Sequence, residues 1–398
     1  MARVPDFTVS NAAAGSDTVG HQEPGDTRLA ANTDRIRLDF RPGAPDISLF
    51  PSKAWVSGVR DAARCGIELK GYEDRRGHPL LRSELARRLG RVLGVAVRPE
   101  QILVTGGFAD GLALAASALN HLGLRAAAVE DPCLATHRQV LTRAGLLVHK
   151  VPVDGDGLDV TALAATSARV ALVTPTHQFP MGMALSDSRR RRLLEWARRV
   201  DGYVIEDDYD GEYRFDPRPP GPLYALDPSR VIYGGTTSKT LSPDLRLGWL
   251  VLPPRLASAI IDGVPHQRAP TLNQMAFSEM LREGHYSRHL RRTKQEYQRR
   301  REHLLAAGIS LEGISAGLHG VLLIPDEGEV IESGRQRGLV LMGTRSFWHG
   351  PPRHHGLVIG YGRPTREVAW RAMNELIDHI RPRLTPAGPG AIPSGRHT

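Results

Sequence analysis

Cysteine is scarce in this chain, which has two, Cys65 and Cys133, among 398 residues. Two thiols are too few for a disulfide framework, and they fit a chain that stays in the reducing cytoplasm. No apolar run is long enough to predict a membrane span, and the first residues lack the basic-then-apolar order of a signal peptide. These absences argue against the secreted, disulfide-rich and membrane-spanning classes and predict a cytoplasmic protein.

Charge is abundant, and its balance is basic. Lys and Arg number 52 against 43 Asp and Glu, which gives a formal net charge of +9. The arginines are scattered through segments of helical spacing, and clusters such as 189–192 and 299–301 are typical of solvated helix faces. Basic and aromatic residues do not alternate as in a groove for single-stranded nucleic acid. The charge therefore favours small anionic ligands, and no nucleic-acid partner is predicted.

Hydrophobic residues make up 41% of the chain, which is enough for a large core. From about residue 100 to residue 252, short apolar runs alternate with helical patterns. This alternation predicts an α/β fold with a mostly parallel central sheet and helices on both of its faces. Ser186 is expected to cap a helix that begins at Asp187. Strand-like runs after a long helical stretch predict a smaller α+β domain near the C-terminus.

The predicted domain boundaries follow changes in composition. Polar, aperiodic ends predict disorder, and a proline-punctuated stretch predicts an extended arm. In chain order the predicted units are a disordered tail (1–34), an N-terminal arm (35–60), a large domain (61–265), a linking helix with the small domain (266–385) and a second disordered tail (386–398).

Lys239 lies in an unusual run of short hydroxyl side chains, between an apolar strand and Arg246. A lysine in such a polar cleft can lose its proton by desolvation and form a Schiff base with a carbonyl. We hypothesise that Lys239 holds pyridoxal 5′-phosphate (PLP). A solvated lysine in a polar loop is the alternative that this stretch alone leaves open.

Asp207 follows a buried strand, and a carboxylate there can pair with a cationic ring nitrogen. At about 4 Å and an effective dielectric of about 20, such a pair is worth about 4 kcal/mol, enough to keep a pyridinium protonated. Tyr209, two residues on, is a candidate partner for the cofactor's phenolic oxygen. The carboxylates between Asp207 and Glu212 also fit a divalent-metal site, although we predict no metal.

Gly106, Gly107 and Phe108 follow another strand and open a helix. Free backbone N–H groups at a helix N-terminus form a seat for a phosphate group. Thr236, Ser238 and Arg246 would add donors to that seat. Glycine turns between a strand and a helix are common, so this turn predicts a phosphate site only together with the residues around Lys239.

From about residue 38 to residue 384 the chain resembles a fold-type I PLP-dependent enzyme of the aminotransferase class I/II superfamily. More narrowly, it resembles the aminotransferase-like domain of MocR-type (GntR/aminotransferase) proteins. Nine motifs carry the resemblance in order: PGAPDISLFP (42–51), GYEDRRGHPLLR (71–82), PEQILVTGG (99–107), EDP (130–132), TPTHQFPMG (174–182), IEDDYDGEY (205–213), GGTTSKTLSPDLRLGW (234–249), GHYSRHLRR (284–292) and GLHG (317–320).

The resemblance implies a fold-type I aminotransferase fold, an amino-acid substrate and a homodimer with shared active sites. It implies that Lys239 forms the Schiff base and moves the proton of the substrate α-carbon. The implied cofactor contacts are Asp207 at the ring nitrogen, Tyr209 at the phenolic oxygen, His177 beside the ring, Tyr72 from the partner subunit, and Gly107, Phe108, Thr236, Ser238 and Arg246 at the phosphate.

Three departures from the family pattern affect the expected function. MocR-type proteins carry an N-terminal winged helix-turn-helix that we do not find here, so DNA binding is not expected. Cys133 and Leu134 stand where the family has Gly and a ring-stacking Tyr. Val358 stands where an arginine for the substrate carboxylate is often found. The possible replacements for that arginine are Arg363, Arg353, Arg345 and Arg41.

The expected activity is cleavage of a bond at the substrate α-carbon. Transamination is the first expectation. The changes at Leu134 and Val358 leave two alternatives open. One is a lyase, elimination or carbon–carbon bond-forming enzyme of specialised biosynthesis. The other is a non-catalytic effector module that senses PLP or an amine.

Overall fold

Strands and helices alternate through the first two-thirds of the chain, as the sequence predicts. The computed structural model describes residues 38–64, 74–94, 97–216, 221–264, 266 and 268–384. The strands are β1 (Leu38–Asp39), β2 (Ile102–Thr105), β3 (Ala126–Asp131), β4 (Leu147–Asp154), β5 (Gly157–Leu158), β6 (Val170–Val173), β7 (Tyr203–Asp207), β8 (Val231–Thr236), β9 (Gly248–Val251), β10 (Gly320–Leu323), β11 (Leu339–Val340) and β12 (Gly356–Ile359). The helices are α1 (Ser52–Arg64), α2 (Pro79–Leu93), α3 (Phe108–His121), α4 (Ala135–Arg143), α5 (Val160–Ala164), α6 (Asp187–Arg199), α7 (Leu223–Leu226), α8 (Pro254–Asp262), α9 (Thr271–Arg282), α10 (His285–Ala306), α11 (Glu327–Gln336) and α12 (Ala369–Ile380).

Eight strands form one sheet in the order β2-β9-β8-β7-β6-β3-β4-β5. The run from β4 through β3, β6 and β7 to β8 is parallel. Strand β9 is antiparallel to both β2 and β8, and β5 is antiparallel to β4. The prediction of a mostly parallel sheet is therefore confirmed. Because β2, β7 and β8 point the same way, their carboxyl ends meet at one edge, where α/β sheets bind ligands.

Both faces of this sheet are buried, which explains the continuous apolar runs of its strands. In β7, Val204 belongs to one apolar cluster together with Leu193 of α6. Its neighbour Ile205 belongs to a second cluster together with Leu112 of α3. Each such side chain contributes about 1.5–3 kcal/mol when it is fully buried.

Helix α6 shows how local sequence sets an element. Ser186 takes the N-cap position, and its side chain accepts a hydrogen bond from the Arg189 N–H. Leu193 and Ala197 are buried on one face of the helix. The predicted cap at Ser186 is confirmed, and the helix ends one residue before the predicted Val200.

The C-terminal part of the chain forms two small sheets rather than extending the large one. Strand β10 pairs with β12 in antiparallel fashion, and β1 pairs with β11 in parallel fashion. Together with α11 and α12 they make the smaller α+β part. The domain boundaries stay predictions, and the tails at 1–34 and 386–398 lie outside the described residues. No described helix has both the length and the apolar character needed to cross a membrane.

The segment between β1 and α1 is tied to the long helix α10 by a buried ion pair. Asp46 Oδ2 and Arg300 Nη2 are 2.7 Å apart, and both side chains are fully buried. The Asp46 N–H also donates to the Tyr297 hydroxyl at 3.1 Å. This segment therefore has a fixed position, and it includes Gly43. The predicted arm (35–60) includes the first residues of α1, which begins at Ser52.

Candidate active site

Lys239 lies at the carboxyl edge of the sheet, three residues after the end of β8. Its Nζ donates a hydrogen bond to the Gly43 carbonyl oxygen at 2.7 Å. Burial lowers the pKa of the Lys239 amine. The carboxylates of Asp207 and Asp210 oppose this fall, and the Arg363 guanidinium adds to it. An amine that is partly removed from water gives up its proton more easily, which a nucleophilic lysine requires.

Asp207 is the last residue of β7, the neighbour of β8, and 5% of its surface is exposed. Its Oδ2 lies 3.6 Å from His137 Nε2, whereas its Oδ1 has no hydrogen-bond partner among the described residues. Burial raises the pKa of Asp207 well above its ordinary value, and the Lys239 charge works against that rise. A buried carboxylate oxygen without a donor fits a cationic ring nitrogen.

His137, in the first turn of α4, is a site residue that the sequence analysis missed. Its ring packs against the Phe108 ring with centroids 5.3 Å apart. Burial lowers the pKa of His137 to about 4, with smaller contributions from the charges of Lys239 and Arg138. The imidazole is therefore neutral near pH 7 and can donate one hydrogen toward Asp207. His137 lies three residues, about one helical turn, after Leu134, which stands where the family has a ring-stacking Tyr. That spacing was the available signal that His137 lies near the cofactor ring.

The predicted phosphate seat lies where β2 and β8 end. Gly107 has φ 107° and precedes α3, so Phe108 is the first residue of the helix. The N–H groups at such a helix start have no carbonyl of the helix to bind. Across the seat, the Ser238 N–H donates to Thr236 Oγ1 at 3.1 Å, and the two hydroxyls are 2.9 Å apart. These groups together fit a phosphate, and the phosphate contacts stay predictions.

Two predicted cofactor contacts are less well defined. Arg246 precedes β9 at the same edge and has a left-handed backbone with φ 48°. Its side chain is exposed, and within the described residues it makes no hydrogen bond or ion pair. Tyr72, predicted to reach the site from a partner subunit, lies outside the described residues. Both contacts stay predictions.

Tyr209 and His177 meet beside Asp207 in a buried polar group. The Tyr209 hydroxyl oxygen is 3.1 Å from His177 Nδ1, and the same nitrogen is 2.8 Å from Asp210 Oδ2. The His319 ring lies 5.0 Å from the His177 ring. Burial lowers the pKa of His319 to about 3, helped by the nearby His177. Sequence reasoning placed Tyr209 and His177 here but missed Asp210 and His319.

The carboxylates of the segment 207–212 do not converge on one point, as the alternative of a metal site on that segment would require. They have separate partners: His137 for Asp207, Tyr233 for Asp208, His177 for Asp210 and Arg88 for Glu212. Within the described part of the chain, the side chains close enough to share an ion are those of His177, Asp210 and His319. The 2.8 Å contact between His177 and Asp210 has the length of a hydrogen bond.

Among the candidate arginines, Arg363 is the one that acts on Lys239 electrostatically. Its Nη1 donates to Asp39 Oδ2 at 2.9 Å and its Nε to the Arg41 carbonyl oxygen at 3.1 Å. Arg41 pairs with the same Asp39 carboxylate at 2.7 Å. Two guanidinium groups thus share one carboxylate. Arg353 is exposed and forms no such contact.

Val358 lies in an apolar cluster, which explains why no charge is found at its position. The cluster also contains Met181, Met183, Val321 and Phe347, all buried. At the other departure, Leu134 is 36% exposed and offers an aliphatic surface. Burial raises the pKa of the neighbouring Cys133 thiol to about 12, so that thiol is not a nucleophile.

A family model provides the observation that decides the family. The model described as Aminotransferase class I and II matches residues 43–317, more than half of the chain. The chain belongs to the aminotransferase class I and II family. Members of this family typically bind PLP and form homodimers. The matched residues include Lys239, Asp207 and Tyr209.

Within this family, similar proteins include transcriptional regulators. The chain is 34% identical over 380 residues to MocR of Rhizobium meliloti, a probable rhizopine catabolism regulatory protein, covering 91% of this chain and 76% of the relative. It is 31% identical over 354 residues to PdxR of Corynebacterium glutamicum, an HTH-type pyridoxine biosynthesis transcriptional regulator, covering 86% and 76%. The resemblance to MocR-type proteins is confirmed.

Solved structures of aminotransferases show the same fold. An archaeal alanine:glyoxylate aminotransferase superposes with a TM-score of 0.79 at 23% identity, covering 88% of this chain and 92% of that chain. LysN, an α-aminoadipate aminotransferase from Thermus thermophilus, gives 0.75 at 24% identity, covering 87% and 92%. At this identity the likeness shows the fold alone, and the predicted fold-type I architecture is confirmed.

Proposed function

We propose that this chain is a PLP-dependent enzyme that acts on the amino group of an amino-acid substrate, with transamination as its reaction. The observation that carries the proposal is the pairing of two groups at one sheet edge. Lys239 is an amine with a lowered pKa. On the adjacent strand, Asp207 presents a buried carboxylate oxygen that has no hydrogen-bond partner among the described residues. The Lys239 amine can react with an aldehyde, and the Asp207 carboxylate can pair with a ring nitrogen of the same aromatic molecule.

The residues around this pair have separate tasks. When bound, PLP supplies a ring that accepts the electron pair of the bond broken at the substrate α-carbon. Asp207, held by His137, keeps the proton on the ring nitrogen. Thr236, Ser238 and the start of α3 hold the phosphate. Lys239 Nζ takes the α-proton and returns it to the product, because it is the amine at this edge whose pKa is lowered by burial.

The regulator names of MocR and PdxR support a second candidate, an effector module that binds PLP or an amine without turnover. Incubation of the PLP-loaded protein with amino-acid pools, followed by mass spectrometry of the products, separates the candidates. Keto acids formed in step with amino-group transfer support transamination, whereas ammonia release or a new carbon–carbon bond supports the other chemistries. A change of the visible band without any product supports the effector module.

Arg363 is the proposed contact for the substrate's acidic group, because it is the guanidinium that acts on Lys239. Replacing Arg363 with Ala should weaken binding of carboxylate-bearing substrates by about 10- to 100-fold, the usual worth of a charge-assisted hydrogen bond. The affinity for PLP should stay the same. Substrate titration of the visible band measures both quantities.

Arg353→Ala is the matched control, since Arg353 is exposed and has no contact with Asp39 or Lys239. Equal substrate affinities for the two variants would contradict the role of Arg363. A loss confined to Arg353→Ala would transfer the role to that residue.

A further inference from the structure

His177 Nδ1 serves two neighbours that compete for it. Asp210 Oδ2 lies 2.8 Å away, and the Tyr209 hydroxyl oxygen lies 3.1 Å away. A neutral imidazole nitrogen either carries a hydrogen or offers a lone pair, but it cannot do both. The two contacts therefore constrain each other.

The chemistry of the two neighbours decides whether His177 Nδ1 carries a hydrogen. A carboxylate has no hydrogen to give, so Asp210 can only accept, and His177 Nδ1 must carry the hydrogen that it donates. Because Nδ1 then carries a hydrogen, it has no lone pair with which to accept the hydrogen of the Tyr209 hydroxyl. Burial raises the pKa of Tyr209 well above its ordinary value, and the charge of Asp210 and a hydrogen bond between Asp210 and the Tyr209 hydroxyl add to that rise, so Tyr209 keeps its hydrogen. A ligand oxygen that enters the site can replace Asp210 as the acceptor of that hydrogen.

The surrounding packing keeps these side chains in place. Asp210 and His177 are each 2% exposed. Gly317 has φ 74°, and a Cβ atom there would lie 2.4 Å from Asp210 Oδ2 and 2.6 Å from His177 Cε1. The Gly317 N–H donates to the Tyr213 carbonyl oxygen at 2.8 Å, which fixes this glycine against the pair. Any side chain at position 317 would therefore collide with the Asp210–His177 pair.

We propose that Asp210 and His177 are positioning residues that fix the Tyr209 hydroxyl as a hydrogen-bond donor toward the ligand held between Asp207 and Lys239. The proposal rests on the proposed function, because the acceptor it implies is the phenolic oxygen of PLP. Tyr209 stabilises that oxygen in its anionic form. Asp210 acts through the tautomer of His177 and through its own contact with the Tyr209 hydroxyl, and it does not touch the ligand.

The first experiment needs no cofactor. Long-range nitrogen–proton NMR spectra of histidine-labelled protein, recorded without PLP, should show His177 as the Nδ1–H tautomer. In Asp210→Ala the constraint is gone, and the signal should move toward the Nε2–H tautomer. A wild-type Nε2–H tautomer would overturn the proposal whether or not PLP binds.

The second experiment measures the pH midpoint of the visible band in the PLP-loaded protein. Tyr209→Phe removes the donor to the phenolic oxygen and should raise the midpoint by about 1–2 pH units. Asp210→Ala also removes a negative charge, so its own shift mixes two effects. The double variant separates them. The Asp210→Ala shift should differ by about 1 pH unit between the Tyr209 and Tyr209→Phe backgrounds.

Asp208→Ala is the matched control. It removes a neighbouring carboxylate whose Oδ2 accepts from the Tyr233 hydroxyl at 2.6 Å. Its shift should be the same in both backgrounds. The ionisable groups that face Tyr209, and whose own titration is fitted, are Asp207, Asp210, Glu130, His177 and His319.

Additive shifts for Asp210→Ala and Tyr209→Phe, to within about 0.3 pH units, would refute the positioning role. A protein that never develops a visible band would instead count against the proposed function. The tautomer measurement would still decide the inference in that case. If Asp210→Ala does not fold, Asp210→Leu takes its place with the same comparison, because leucine fills the position without offering an acceptor to His177 Nδ1.

Discussion

Lys239→Ala is expected to abolish covalent retention of PLP. Nζ of Lys239 is the amine at the sheet edge whose pKa is lowered by burial, and alanine leaves no nucleophile in its place. The visible absorbance of the cofactor-loaded protein should be absent, and borohydride treatment should attach no cofactor mass to the chain. Turnover of any amine should fall at least about 10³-fold, since both the bond to the cofactor and the basic group are lost.

Lys150→Ala is the appropriate control, because Lys150 is an exposed residue of β4. After borohydride treatment, Lys150→Ala should carry the same cofactor mass as the wild type, and it should turn over amines at the wild-type rate. The Lys239→Ala protein should still fold, because among the described residues Nζ makes one hydrogen bond, to the Gly43 carbonyl oxygen. A cofactor mass retained in Lys239→Ala after reduction would show that another lysine forms the bond.

Asp207→Asn is the second change with a large expected effect. Asparagine keeps the shape of the side chain but cannot hold a proton on the ring nitrogen by charge. The lost ion pair is worth about 4 kcal/mol at an effective dielectric of about 20, so turnover should fall about 10³-fold and the affinity for PLP should also fall. Single-turnover rates and PLP titrations measure the two effects separately.

Asp208→Asn provides the comparison, because Asp208 is the next residue but accepts from Tyr233. Burial raises the pKa of Asp208 to about 6, so Asp208 is mostly ionised near neutral pH. Asp207 is proposed to be ionised as well when it pairs with the ring nitrogen of PLP. Its replacement should change turnover little. If both variants lost activity equally, a general loss of negative charge would explain the result, and the specific role of Asp207 would be wrong.

Much of the fold follows from patterns that act over short distances. The apolar strands of the large sheet are continuous runs because both faces are covered, and this property is visible in residues such as Val204 and Ile205. Ser186 reveals the start of α6 because a cap works through its own neighbours. The direction of β9 was not predictable in this way, since an apolar run looks the same in either orientation.

The site could be predicted where a residue works at the end of its own strand. Lys239, Asp207 and Tyr209 follow apolar runs, and parallel strands bring such ends together. His137, Asp210 and His319 were missed because their roles depend on contacts between distant segments. His319 meets His177 across 142 positions of the chain, as their numbers show, and no local pattern encodes that meeting.

The buried Asp46–Arg300 pair has a consequence for genetics. Arg300 lies on α10, and within the described part of the chain it forms no hydrogen bond or ion pair with a site residue. Its partner Asp46 is nevertheless only three positions from Gly43, whose carbonyl oxygen accepts from Lys239. A screen for loss of activity should therefore recover Arg300 alleles beside those at Lys239. These alleles should be temperature-sensitive, because removing one partner of a buried pair typically costs about 3–5 kcal/mol and leaves the chemistry intact. Growth at a lower temperature would then distinguish them from alleles that remove a group from the site.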